Sequence, residues 1–424
     1  MNPTEGGAAI ERGTIERGAI ARGAVEPDGA PRIAMLDILR GIAILAILFM
    51  NISEMGASMT ANWSDLHHLG WTGADQTAWW LRTIVIEGTP RALLEMLFGA
   101  GMLILTDRID ARSSHPFAVP LRYGWRNLVL WVFGMAHMFL LLWPGDILHS
   151  YAVAALAACL FRGLPPRAML TIGLSYAAVT MALGVATLAH DAATPAAATA
   201  RSASFAAADA AAIRREDAFG FGTRDQWAEG QRDVSLRRLR SDEITTVWEA
   251  AATMLIGAAL FRWGALQGAW SRRRYGMLLA FGYGIAVPLR LYGAWEATRS
   301  TGDVSFAWMW EDLARLAMTM GHLAAVMLAV RTRIGSRLLH PFVAAGRTAL
   351  TLYVGQTLIV SWLIFSPYGL GLYGRLGWAA MMAVALAVDA LLLWGATVYV
   401  RHFRIAPVEW AWRSIVERRL LRVR

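Results

Sequence analysis

"RIAMLDILRGIAILAILFMNISE", residues Arg32 to Glu54, decides the fold: between Gly41 and Met50 it has no polar side chain. A bilayer core about 30 Å thick needs about 20 mostly apolar residues per helical crossing, and this stretch supplies them. Runs of the same kind recur along nearly the whole chain, near 33–52, 84–106, 123–143, 147–163, 168–189, 246–264, 275–294, 308–330, 343–366 and 377–400. The reading is an all-α, polytopic membrane protein of about ten transmembrane helices in a bundle.

Composition agrees. Of 424 residues 56% are hydrophobic and 17% charged, a balance unusual for a soluble domain of this length. All 40 basic residues are arginines, and the formal charge is +9. The arginines fall in short clusters between apolar runs, as the positive-inside rule expects, so nucleic acid is excluded as a partner. The single Cys159 lies within an apolar run and cannot form an intrachain disulfide.

Arginine placement sets the expected topology. Arg12, Arg17, Arg22 and Arg32 precede the first run, and Arg108, Arg112, Arg122 and Arg126 surround the second gap. Alternation from there puts both termini inside, in a multi-pass protein of a bacterial cytoplasmic (inner) membrane. The expected divisions are a disordered cytoplasmic tail (1–31), five spans (32–189), a solvated extracytoplasmic loop (190–245), five further spans (246–405) and a basic cytoplasmic tail (406–424).

Polar groups within apolar runs are expensive and mark candidate sites. In the first run Asp37, Arg40 and Asn51 share one stripe: at 100° per residue Arg40 and Asn51 differ by about 20°, and Asp37 lies about 40° from Asn51. The stripe is either one wall of a polar cavity with Arg40 as an anion contact, or an i,i+3 Asp37–Arg40 pair holding two helices together. Arg91 and Glu95 stand at i,i+4 on one face, and Gly99 and Gly101 of "LFGAG" suit close helix packing.

"LWPGDILHSYA", residues 142–152, reads as a tight turn near the outer surface. Pro144 and Gly145 make the turn and Asp146 caps the next helix. His137, Asp146 and His149 then line a polar pocket, with cap and packing histidine as the plainer alternative. "GRTALTLYVGQ" places Arg347, Thr351, Tyr353 and Gln356 within three turns, as site residues or as glue between helices. Arg290 and His322 are isolated candidates. No phosphate loop, paired-cysteine site or zincin helix occurs, and no metal is expected.

Taken in order, "LDILRGIAILAILFMNI", "LFGAG", "GDILHSYA", "GRTALTLYVGQ" and "RIAPVEWAWRS" resemble the motif series of the YeiB family, bacterial membrane proteins of domain of unknown function 418, over about Arg32 to Arg418. The resemblance implies a transmembrane acyltransferase-like fold, similar to the lysosomal heparan-glucosaminide acetyltransferase. It further implies transfer of an acyl group from cytoplasmic acyl-CoA, such as acetyl-CoA, to a sugar or other envelope acceptor. The chain departs from the pattern at Glu95, where a small polar residue is usual, and at Leu352, where asparagine is common.

That chemistry needs a base, a group to hold it, and cations for the CoA phosphates. His137 is the expected base with His149 beside it, and Asp146 the orienter. Asp37, Arg40, Asn51, Arg347, Tyr353 and Gln356 are the expected binding residues. Donor and acceptor sides are expected about half a bilayer apart, a gap that single-step transfer crosses only through a deep channel. Expected partners are the lipid bilayer, acyl-CoA, a sugar or envelope acceptor, and a second copy in a homodimer. A transporter or lipid-handling channel and a non-catalytic scaffold are the rival classes.

Overall fold

The computed structural model describes residues 23–25, 31–32, 34–113, 115–299 and 306–423. Most of the tail expected over 1–31 lies outside the described residues. Its Gly23–Val25 pairs antiparallel with Pro31–Arg32, a pairing that the expectation of a disordered tail did not include. All other regular structure among the described residues is helical, and the chain is an all-α, multi-pass membrane protein.

The opening stretch forms α1 (Ala34–Ala46) and α2 (Leu48–Gly56), joined through Ile47 in helical geometry. α3 (Gly73–Leu81) starts on a reciprocal cap between Thr72 and Asp75 and runs into a π-helical turn, Arg82–Ile86. Then come α4 (Thr89–Arg112), α5 (Ala118–Phe139), α6 (Leu148–Cys159), α7 (Pro166–Gly173) and α8 (Ser175–Ala193). α9 (Pro195–Gly220) and α10 (Arg224–Ser241) precede α11 (Glu243–Arg262), α12 (Arg272–Ala297) and α13 (Phe306–Ala329). The remainder is α14 (Arg333–Leu339), α15 (Pro341–Arg347), α16 (Ala349–Gln356), a π-helical segment Thr357–Phe365, α17 (Trp378–His402) and α18 (Pro407–Val416).

Every expected apolar run became helix. By length and composition, six spans among the described residues can cross a membrane: Ala34–Gly56, Pro166–Ala193, α11, α12, Met309–Ala329 and α17. A seventh is Arg333–Arg347 with Ala349–Phe365, bent by 82°. The bend falls at Thr348, whose backbone leaves helical geometry (φ −115°, ψ 22°). α4 and α5 are long enough to cross but carry charges, and α6 has only 12 residues, about 18 Å by the helical rise.

α4 and α11 pack backbone to backbone. A methyl at Gly99 would lie 1.8 Å from the Met254 carbonyl oxygen, and one at Gly257 would lie 2.1 Å from that of Met96. Glycine at both positions is what this approach requires. Gly101, expected to serve the same packing, faces open space.

The region 190–245, expected as a solvated segment able to lie as helix on the membrane surface, holds two helices, α9 and α10, that dock on the bundle. Glu216 of α9 accepts hydrogen bonds from the Ser58 hydroxyl (2.7 Å), the Thr60 amide (3.0 Å) and the Thr60 hydroxyl (2.9 Å). Trp227 of α10 is buried against Leu142 and Trp362. Alanine-rich sequence favours helix, and these few anchors fasten it over the end of the bundle.

Candidate functional site

After α5 the chain turns inward. Leu142 takes left-handed backbone (φ 56°), held by burial of its side chain under α10. The Trp143 amide donates to the His137 carbonyl (3.3 Å), so the turn folds back onto the last turn of α5. Trp143, Pro144 and Asp146 are buried. The corner expected near the outer surface is therefore roofed, because α10 covers it.

Asp146 does what its position ahead of α6 suggests and more. Its Oδ2 accepts the amides of Leu148 (2.9 Å) and His149 (3.1 Å), which meets the unpaired donors of a helix start. The same carboxylate holds two imidazoles: His137 Nδ1 lies 2.8 Å from Oδ1 and His149 Nδ1 lies 2.9 Å from Oδ2. A nitrogen facing a carboxylate carries the proton, so both rings donate to Asp146. Burial alone would raise the Asp146 carboxyl, but the hydrogen bonds from both histidines outweigh it and hold it below the usual range. Gly134 lets α6 come this close, since a methyl there would lie 2.3 Å from the His149 amide nitrogen.

The two histidines differ at their other nitrogen. His137 Nε2 accepts from the Thr357 hydroxyl (2.9 Å), and both residues are buried. Tyr353 closes this side: its ring meets the His137 ring edge-on with centroids 4.8 Å apart, and its hydroxyl donates to the Gly145 carbonyl (3.4 Å) and accepts the Ile147 amide (3.3 Å). His149 Nε2 instead faces Glu243 Oε2 at 3.0 Å, and the Ser150 hydroxyl donates to the same oxygen (3.1 Å). With carboxylates at both nitrogens, His149 is an imidazolium.

His149 and Glu243 line an apolar groove of about 770 Å³ on the flank of the bundle, with Trp131, Val153, Val247 and Trp248. His137 does not line it. The histidine expected as the base is thus sealed, and its neighbour faces the open groove. Glu243 and Thr357 went unseen in the sequence: Glu243 lies at the end of a charged segment, and Thr357 is one hydroxyl in an oily run. Thr357 opens a π-helical segment, a local distortion frequent at functional sites.

A second buried cluster surrounds Arg91 and Glu95. The pair itself is loose, at 3.7 Å, because each has a better partner elsewhere. Arg91 donates to Glu249 of α11, and Arg315 of α13 lies 2.9 Å from Glu249, 3.5 Å from Glu95 and 3.3 Å from Asp312. The Tyr151 hydroxyl, two residues beyond His149, lies 3.2 Å from Glu95 Oε1. Two guanidiniums and three carboxylates thus share one site.

Residues 260–419 match the family model described as "Protein of unknown function (DUF418)". The chain is 28% identical over 397 residues to the uncharacterized protein YxaH of Bacillus subtilis (strain 168), covering 90% of this chain and 94% of that one. It is also 28% identical over 407 residues to the uncharacterized protein YeiB of Escherichia coli (strain K12), covering 90% and 96%. The chain is thus similar over about nine-tenths of its length to YeiB and YxaH, and its C-terminal part matches the family model.

The YeiB-family motifs converge in space. "LDILRG" lies on α1, "LFGAG" on α4, "GDILHSYA" on the inward turn and α6, "GRTALTLYVGQ" on α15 and α16, and "RIAPVEWAWRS" on α18 and the residues before it. The last motif supplies a cap. Glu409 of α18 accepts the amides of Leu350 (2.7 Å) and Thr351 (3.2 Å) and the Thr351 hydroxyl, and so anchors the start of α16.

Arg40 pairs with Asp37 (2.9 Å) and reaches the Gly346 carbonyl (3.4 Å), so the i,i+3 pair is present. Its side chain remains 35% exposed. Arg347 lies beside Arg404, donating to its carbonyl (3.5 Å). Gln356 donates to the Ile44 carbonyl (2.9 Å) and to Asp389 (3.3 Å). Asn51 is half-buried on α2. Arg290 and His322 stand apart and brace the 82–87 turn: Arg290 donates to the Thr83 carbonyl (2.8 Å), and His322 Nε2 lies 2.7 Å from the Val85 carbonyl.

Proposed function

We propose that the chain is an acyltransferase-like membrane protein that moves an acyl group from cytoplasmic acyl-CoA to a sugar or other acceptor on the envelope side. The bacterial inner membrane, with both termini inside, is the setting that reading requires. One observation supports it: a series of polar contacts, broken between Arg40 and Gln356, that leads from the Arg40 side of α1 to the groove. Gln356 bonds the carbonyl of Ile44, one turn beyond Arg40; its neighbour Thr357 bonds His137; Asp146 joins His137 to His149; and His149 faces the groove.

The reading still requires the acyl arm to span the separation between Arg40 and Arg347 and the histidine centre. The CoA phosphates would meet Arg40 and Arg347, and the flexible arm would carry the thioester inward. At the centre, Glu243 turns away from His149 with the Nε2 proton, leaving a base held at Nδ1 by Asp146. The acceptor hydroxyl gives its proton to Nε2 as its oxygen bonds the acyl carbon; the carbon–sulfur bond breaks, and the thiolate takes that proton from Nε2 to leave as CoA thiol, which restores the base. His137 is a positioning residue that fixes Asp146.

Calorimetry of the full chain in nanodiscs with acetyl-CoA tests the donor side. Binding that weakens at least about tenfold in Arg40→Ala and Arg347→Ala is the expected result. No binding of any CoA ester would hand the site to a transporter or scaffold.

A further inference from the structure

Apart from the histidine centre, a second cavity of about 820 Å³ opens where α9 lies over the ends of α8, α12 and α13 and beside the residues flanking the Arg82–Ile86 turn. Ligand pockets have volumes of about 300–1,000 Å³ and few polar groups, well placed. We propose that this cavity binds an uncharged, polyhydroxylated ligand, a saccharide.

Its wall carries buried polar atoms with no partner in the protein. These are both side-chain atoms of the Asn62 amide, the Thr83 hydroxyl, Asp191 Oδ2, Arg290 Nε and Trp310 Nε1. A buried polar atom left unmade costs free energy, so unpartnered polar atoms on several residues that line one cavity call for an occupant with hydrogen-bonding groups. Trp63, 59% exposed, and Trp79 add flat apolar faces that suit the C–H face of a sugar ring.

Charge argues against an anion. Arg82 and Arg201 are paired with Glu87 and Asp191, and Arg290 directs its terminal nitrogens to backbone carbonyls. Asp209 and Glu311 add negative charge to the wall. The wall thus carries five carboxylates (Asp65, Glu87, Asp191, Asp209, Glu311) against three guanidiniums (Arg82, Arg201, Arg290), a balance that disfavours a phosphate or a CoA. Polar contacts run from this cavity toward the histidine centre: Arg315, which follows the lining residue Ala314, reaches Glu95, and Glu95 meets Tyr151.

As an acceptor site, the cavity rests on the transfer reading; as a binding site, it does not, and the test omits any acyl donor. Full-length protein in lipid nanodiscs, free of sugar detergents, is titrated with glucose, galactose, glucosamine, N-acetylglucosamine, maltose and trehalose, following tryptophan fluorescence. The expected result is saturable binding of at least one at or below about 10 mM. Thr83→Val removes a hydroxyl that has no protein partner, so it leaves the melting temperature unchanged or raised while weakening that ligand at least about tenfold. Trp63→Ala weakens it as well. No binding across the panel, or binding that neither variant alters, overturns the proposal; binding with no acyl transfer leaves it standing and removes only the acceptor role.

Discussion

Asp146 follows His137 by nine residues, yet its carboxylate lies 2.8 Å from the His137 ring and 2.9 Å from that of His149. One buried acid therefore fixes two imidazoles, and the account assigns them different work. His149→Gln is expected to cut transfer by about a hundredfold or more with folding preserved, because it removes the ring that faces the groove. His137→Gln should act through Asp146 and lower the melting temperature as well as the rate. Thr357→Val, read by the same assay, should leave the rate within about threefold; a hundredfold loss would make Thr357 a participant.

Gly134→Ala should lower both stability and transfer. The added methyl meets backbone, 2.3 Å from the His149 amide nitrogen, so α6 must shift and carry His149 with it. The overpacking penalty is about 1–3 kcal/mol. Thermal unfolding beside a rate measurement checks it, and an unchanged rate would argue against tight positioning.

At Asp75 the acid sensitivity has a definite sign. Hydrogen bonds from Thr72 and from the Ala379 amide hold its carboxyl below the usual range. A carboxyl lowered on folding contributes stability that is complete above its unfolded value of about 4 and is lost as pH falls through the folded one. Wild-type protein should lose melting temperature below about pH 4. Asp75→Asn should start about 1–2 kcal/mol less stable and show a flatter acid limb.

Glu409→Gln should destabilise the start of α16 by about 1–2 kcal/mol, since one oxygen accepts two backbone amides that Gln cannot serve equally. The lost cap should raise hydrogen exchange at Leu350 and Thr351. Exchange unchanged there would show that α16 is held by packing alone.

The topology has its own test. With Cys159 replaced, a cysteine at Glu229 should react with an impermeant thiol reagent added outside, and one at Arg273 should not. The reverse pattern would invert the donor and acceptor sides.

The helices were legible because apolar runs of this length admit little else. The Asp37–Arg40 pair and the His137–Asp146 contact were legible because their partners are near in sequence or across one turn. What escaped was long-range. Arg91 and Glu95 read as a simple pair, while Glu249 and Arg315, which dominate that cluster, stand far away on α11 and α13. The burial of the 142–146 turn depends on Trp227, whose docking no local pattern announces. Choosing between His137 and His149 required knowing which ring nitrogen meets Thr357 and which meets the groove.

The central claim is tested most directly by incubating membrane vesicles containing the full chain with acyl-labelled acetyl-CoA and following label into any product other than the CoA ester. The account predicts labelled product from wild-type vesicles and a loss of about a hundredfold or more with Asp146→Asn or His149→Gln at equal folded protein. No label above vesicles lacking the chain, or equal labelling by Asp146→Asn, would contradict it.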